Sequence, residues 1–208
     1  MKHLPATAPR DALLDEVLSL VPFEGWNVRC LELAASRLKL DAIILFPNGV
    51  SDVIAYYSRS MDRRMLETLA QHDLASMKIR QRIAFAVRTR LEIIAAYKEA
   101  ERRALAYLAN PLHATLGLEL LYHTVDDMWH CAGDTSTDFN FYTKRLLLAK
   151  VVTSTLLYWL NDESPEHTKS WEFLDRRIDN VMQIQKWKGQ AQAWLTQKWP
   201  DFQRSAWK

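Results

Sequence analysis

Apolar residues recur along nearly the whole of this 208-residue chain at the 3.6-residue spacing of an α-helix. Little interrupts that period: there are 5 glycines and 7 prolines in all. Its Asn48-Gly49 pair sits in "FPNG" and is followed by a long helix-like run, not by the alternating residues of a hairpin. A chain patterned this way buries its apolar stripes helix against helix, which predicts an all-α bundle. Hydrophobic residues make up 49% of it, enough to build a core.

The breakers divide the pattern into about ten helices. The first covers roughly Asp11–Leu20 and the second Val28–Lys39, with Asn27 as its N-cap. A short third helix near Asp41–Phe46 stops at Pro47, and a fourth runs over about Val50–Gln71. Two more lie within Lys78–Leu108, before the Asn110-Pro111 break. The next carries "LHATLGLELLYHTVDDMWHCA" and closes at Gly133, a natural C′ residue. Another spans about Asp138–Leu160. Ser164 as N-cap and Pro165 at the first helical position open the ninth. The last segment, Gln190–Lys208, reads as an appended amphipathic helix.

Between Leu146 and Leu160 the one charged residue is Lys150. A helix apolar on every side is either a central core helix or the wall of an apolar ligand pocket. Composition excludes other classes. A net charge of +2 gives no electrostatic ground for nucleic-acid binding. Cys30 and Cys131 are far apart and form no metal or redox motif, which suits a reducing compartment. The first residues lack an apolar signal core, and no apolar run is long enough to span a bilayer.

The stretch "VDDMWHCAGDTSTDFNFYTKR" (Val125–Arg145) holds the densest chemistry in the chain. Asp127 and His130 stand at i, i+3, the spacing of a di-iron ligand pair, but no second carboxylate-x-x-His exists, so no metal is expected. Ser136, His130 and an aspartate would complete a triad inventory, yet no nucleophile elbow accompanies them. Thr135, Ser136, Thr137 or Asp138 suits a helix cap instead. Asp138, Phe141, Tyr142 and Arg145 fall on one helical face. Aromatics beside an acid and a base resemble an interface anchor; half-buried aromatics with a surface ion pair fit equally.

Helix, helix, short helix, long helix is the plan of a TetR-type regulator. "EGWNVRCLELAASRLKLD" fits its helix-turn-helix, but the recognition segment is "AIILFP" (Ala42–Pro47). That segment offers no donor or acceptor to a base edge, so the unit reads as degenerate. A TetR-like transcriptional regulator with an apolar pocket is the alternative reading. In the tail, Trp187, Trp194, Leu195 and Lys198 form one stripe, with Trp199 beside it and Pro200 after it. Tryptophan with lysine suits a membrane surface; docking on its own core or a dimer mate fits the same stripe.

From Val125 to Met182, and above all in Trp129-His130-x-Ala132-Gly133-Asp134-x-Ser136-Thr137-Asp138-Phe139-Asn140-Phe141-Tyr142-Thr143-Lys144-Arg145, the sequence resembles the ubiquinone (coenzyme Q) biosynthesis accessory family, that of the ninth protein of the yeast coenzyme Q series. The resemblance extends more loosely over the N-terminal helices. It implies a TetR-like, lipid-binding, non-enzymatic homodimer without a cofactor. Such a protein binds a ubiquinone intermediate or other isoprenoid lipid and assists the di-iron demethoxyubiquinone hydroxylase. Carried onto this chain, the partner patch is Asp138, Phe141 and Tyr142 with Arg145 near it; mitochondrial members often have Trp where Phe141 stands. The apolar helix offers Leu148, Val152, Leu156 and Trp159 to lipid, and the tail's Trp187, Trp194, Leu195, Lys198 and Trp199 to a membrane surface. The implied layout is residues 1–72 as degenerate helix-turn-helix, 73–188 as ligand-binding and dimerisation core, and 189–208 as membrane helix. The expected place is the cytoplasmic face of a bacterial membrane, or the matrix side for a processed eukaryotic chain.

Overall fold

In the computed structural model, residues 7–134 and 139–181 are described. Among them the architecture is all-α, as the periodicity predicts: eight α-helices, three 3-10 turns and a helical stretch over residues 168–181. The helices are α1 (Thr7–Glu24), α2 (Val28–Leu38), α3 (Ala42–Leu45), α4 (Val50–Ala70), α5 (Ile79–Ile94), α6 (Lys98–Leu108), α7 (Ala114–Cys131) and α8 (Phe139–Leu160). The expected count near ten differs little; the appended segment from Gln190 lies outside the described residues.

The chain divides into two compact units, Met1–Val152 and Thr153–Lys208. In the first, α4 packs on α1, α5 and α7, and α1 also holds α2 and α6. Leu13, Leu14, Val17, Val21, Ile54, Met61, Met65, Ile94 and Met128 are buried at its centre. In the second, the end of α8 meets a 3-10 turn (Pro165–His167) and the helical residues 168–181.

Caps set several boundaries. Asn27 caps α2 as expected, its side-chain oxygen accepting from the Cys30 N–H at 2.9 Å. The Asp41 carboxylate does the same for α3, accepting from Ile43 and Ile44. Lys39 ends α2 in the left-handed region, at φ 54. Two boundaries differ from expectation. α1 runs past Pro22 to Glu24, further than Leu20, and the Pro22 carbonyl at its end accepts from the Arg103 guanidinium at 3.0 Å. At the other end, Ser164 and Pro165 open a 3-10 turn, and the regular helix starts at residue 168. Glu166 and His167 sit at φ 52 and 55, which a continuous helix cannot contain.

The interior of the first unit carries charge. The Asp62 carboxylate of α4 accepts from Arg90 Nε of α5 at 2.8 Å and from the Thr124 hydroxyl of α7 at 2.9 Å. Tyr57 donates to Glu101 at 2.8 Å, and all five side chains are buried. Burial works against the Arg90 cation, but Asp62 and Glu101 outweigh it and raise its pKa. Burial, then Glu101, raises the Tyr57 phenol as well. These bonds tie four helices, α4, α5, α6 and α7, together in one register, since each member would be unsatisfied in another.

Candidate functional site

The polar stretch singled out in the sequence forms the junction between α7 and α8. α7 ends in a Schellman motif: the Asp134 N–H donates to Trp129 O and the Gly133 N–H to His130 O, both at 3.0 Å. Gly133 stands at φ +85, where a side chain is strained, and a Cβ there would meet Arg82 Nη1 at 3.1 Å. That arginine, from α5, donates to the carbonyls of Ala132, Met77 and Ala75 at 2.9–3.1 Å. One guanidinium therefore fastens the end of α7 to the linker before α5.

A second cation closes the junction from the α8 side. Arg145 Nε donates to Asp126 Oδ1 at 2.6 Å. Its Nη1 reaches Asp134 Oδ2 at 3.3 Å and the Phe141 carbonyl at 3.2 Å. The guanidinium carbon lies 3.3 Å from the centroid of the Phe141 ring, a close cation–π contact. Lys144 adds a 2.7 Å pair to the other Asp134 oxygen, with its ammonium 5.6 Å from the Trp129 ring centroid. The Arg145 side chain is 7% exposed. It was expected near an exposed face of Asp138, Phe141 and Tyr142; in the structure its guanidinium faces inward, against the Phe141 ring.

Phe141 and Tyr142 meet edge to face, centroids 5.1 Å apart. Tyr142 is 67% exposed, and Leu146, one turn on, is exposed too. So the structure brings Phe141, Tyr142 and Arg145 together in depth, with the cation below and the phenol outward. Asp138, the fourth member of the expected face, and Ser136 lie outside the described residues. So do Trp187, Trp194, Leu195, Lys198 and Trp199. Sequence reasoning missed Asp126, Asp134 and Lys144 as partners of this site. Their signal was present in the acidic pair before the glycine and the Lys-Arg pair after the aromatics, but it takes a hairpin to make them meet.

Asp127 is ion-paired with Arg59 at 3.6 Å, and burial, then Asp62, raises its pKa. Burial, then Asp127, raises the Cys131 thiol, which disfavours the thiolate nucleophile. Among the described residues, no three His, Cys, Asp or Glu side chains gather as a metal would require.

Leu148, Val152, Leu156 and Trp159 follow one another along α8 at i, i+4, i+8 and i+11, and all four are buried. Between them Thr155 is fully buried, and among the described residues its hydroxyl has no hydrogen-bond partner. The second unit also carries an open groove of about 780 Å³, lined by Leu157, Tyr158, Asn161, Ser164, Lys169 and Phe173. The Tyr158 and Phe173 rings stack there at 4.6 Å. At 100° per residue, this groove uses the face of α8 opposite to Leu148, Val152, Leu156 and Trp159. Among the described residues no helix is long and apolar enough to cross a membrane.

Comparison with known proteins places these features in a family. The family model described as COQ9 matches residues 114–185, which include α7, the junction and α8. The mitochondrial ubiquinone biosynthesis protein COQ9 of Drosophila melanogaster is 34% identical over 190 residues, covering 88% of this chain and 58% of that protein. The Homo sapiens protein of the same name is 34% identical over 181 residues, covering 83% of this chain and 57% of its own length. A probable mitochondrial ubiquinone biosynthesis protein coq9 of Dictyostelium discoideum is 26% identical over 185 residues, covering 85% and 60%. This chain thus spans a little under two thirds of these relatives. A TetR transcriptional regulator from Nitrosomonas europaea superposes with a TM-score of 0.67, covering 83% of this chain and 97% of that one. At 19% identity that likeness shows the fold, which is TetR-like.

Proposed function

This chain belongs to the COQ9 family, and on that premise we propose that it serves ubiquinone biosynthesis as a non-enzymatic, lipid-binding accessory protein. It takes up a ubiquinone intermediate or another isoprenoid lipid at a membrane surface. It then presents that lipid to the di-iron demethoxyubiquinone hydroxylase. The observation that carries this reading is the Phe141–Tyr142 pair, an aromatic anchor set on a buried cation inside the segment matched to the family. Exposed tyrosine on a rigid base is the composition of an interface hot spot. The carboxylates and cations around it are spent on each other, which suits recognition better than proton transfer.

Lipid binding draws support from α8. Its apolar length buries Leu148, Val152, Leu156 and Trp159 and leaves the Thr155 hydroxyl as a donor in apolar surroundings. Lifting a polyprenyl tail from a bilayer exposes apolar surface at about 25 cal/mol per Å², and a protein wall offsets that. The tail from Gln190 serves as the membrane contact, on the inner face of the membrane, and the protein acts as a homodimer. The regulator alternative draws no support from α3: its exposed side chains are Ile43 and Ile44, 78% and 67% exposed, and neither can read a base edge.

Pull-down of the purified hydroxylase tests the recognition surface. Tyr142→Ala is expected to keep the helical fold, because the side chain is exposed, and to weaken capture of the hydroxylase. Equal capture by both forms would remove the aromatic patch from this account.

A further inference from the structure

We propose that Arg145 is a positioning residue that presets the recognition surface, acting from beneath it and touching no partner itself; this rests on the reading of Phe141–Tyr142 as that surface. Three observations carry it. The side chain is 7% exposed, so a docking protein meets other atoms first. Its Nε and Nη1 donate within the chain: to Asp126 at 2.6 Å, to Asp134 at 3.3 Å and to the Phe141 carbonyl at 3.2 Å. Its planar face carries the Phe141 ring at 3.3 Å. One group thus joins the last turns of α7 to the first turn of α8 and fixes the ring against which Tyr142 packs.

The geometry requires arginine. A guanidinium is planar, so it can stack under a ring while its edge bonds two carboxylates. An ammonium keeps the charge but not the plane or the fork. Lysine at 145 therefore keeps the ion pairing and loses the seat of Phe141. Asp126 forms the more accessible arm of the clamp, with a side chain 39% exposed, so it can be changed with less risk to the core. Lys144 holds Asp134 independently at 2.7 Å, which keeps the end of α7 paired when Arg145 is altered.

Binding arises here by pre-organisation: a fixed aromatic pair loses less rotamer freedom on docking than a loose one. Loss of the cation–π seat of Phe141 is expected to weaken the complex about tenfold, equivalent to about 1.4 kcal/mol.

The test uses the full chain, the purified demethoxyubiquinone hydroxylase as probe, and the variants Arg145→Lys, Asp126→Asn and Tyr142→Ala. Affinity is read by titration, global stability by thermal unfolding, and local order by amide hydrogen exchange over residues 139–148. The expected result is about tenfold weaker binding for Arg145→Lys and a smaller loss for Asp126→Asn. Both show faster exchange over 139–148 with little change in Tm, whereas Tyr142→Ala loses affinity without faster exchange. Wild-type affinity and exchange in Arg145→Lys would overturn the proposal. So would a loss of affinity that merely follows Tm in both clamp variants, since that is ordinary destabilisation. If the wild type fails to bind the hydroxylase, the partner reading falls. The clamp then stands or falls on exchange alone: acceleration at 139–148 supports it and unchanged protection removes it.

Discussion

Gly133 is the point where single-residue geometry governs the site. Its φ of +85 strains any side chain, and a Cβ there would press on Arg82 Nη1 at 3.1 Å. Gly133→Ala is expected to lower stability by about 1–2 kcal/mol, the penalty of the left-handed region for an L-residue, as read by urea unfolding. A second residue-scale effect appears in alkali. Burial, with Glu24 adding to it, pushes the Cys30 thiol up to about 11. The thiol of the unfolded chain ionises near 8.5, so its contribution is complete below that pH and is lost as pH rises toward 11. Wild type should therefore lose stability between pH 9 and 11 more steeply than Cys30→Ala; parallel profiles would count against it. At this scale the sequence was readable where one residue does a local job. Asn27 caps α2 and Gly133 closes α7 as the pattern predicts. Arg145 was not readable in that way. Its position on the helical wheel was correct, but its inward turn depends on Asp126 and Asp134, which only the fold brings opposite.

Between elements, the Asp62–Arg90–Thr124 network holds α4, α5 and α7 in register. Asp62→Ala leaves the buried Arg90 cation without its directly bonded carboxylate, with Glu101 alone to offset it, and should cost about 3–5 kcal/mol. Combining Asp62→Leu with Arg90→Met should recover much of that loss, because an apolar pair carries no desolvation penalty. Thermal unfolding of the single and double variants separates the two cases. None of this network was visible in the sequence, since an isolated Asp or Arg in a helix looks like surface. Helix existence and order were visible, because long apolar periods leave little choice. The exceptions were terminal turns. α1 continues through Pro22, and the terminal carbonyl there is satisfied by Arg103, distant in sequence. The helix after Asp162 starts late because Asp162 itself accepts from Ser164 and Ser170 and holds the 3-10 turn. Those hydrogen bonds hold the Asp162 carboxyl well below the usual carboxylate range against the opposing effect of burial.

The whole molecule joins a TetR-like helical frame, a helix largely apolar beyond Arg145 and an aromatic pair in that helix's first turn. Fold class followed from periodicity alone, and the family followed from the run between Trp129 and Arg145. The depth of the site, with its cation below and phenol outward, came from the structure. Removing Gln190–Lys208 is expected to reduce flotation with anionic liposomes; unchanged flotation would take the membrane role from the tail. The central claim is that the protein carries an isoprenoid lipid. Native mass spectrometry of the chain, purified without detergent from cells that make ubiquinone, tests it most directly. The account predicts a bound species with the mass of a polyprenylated quinone or its precursor, released on unfolding. A chain that arrives empty, or carries bulk phospholipid alone, would contradict it.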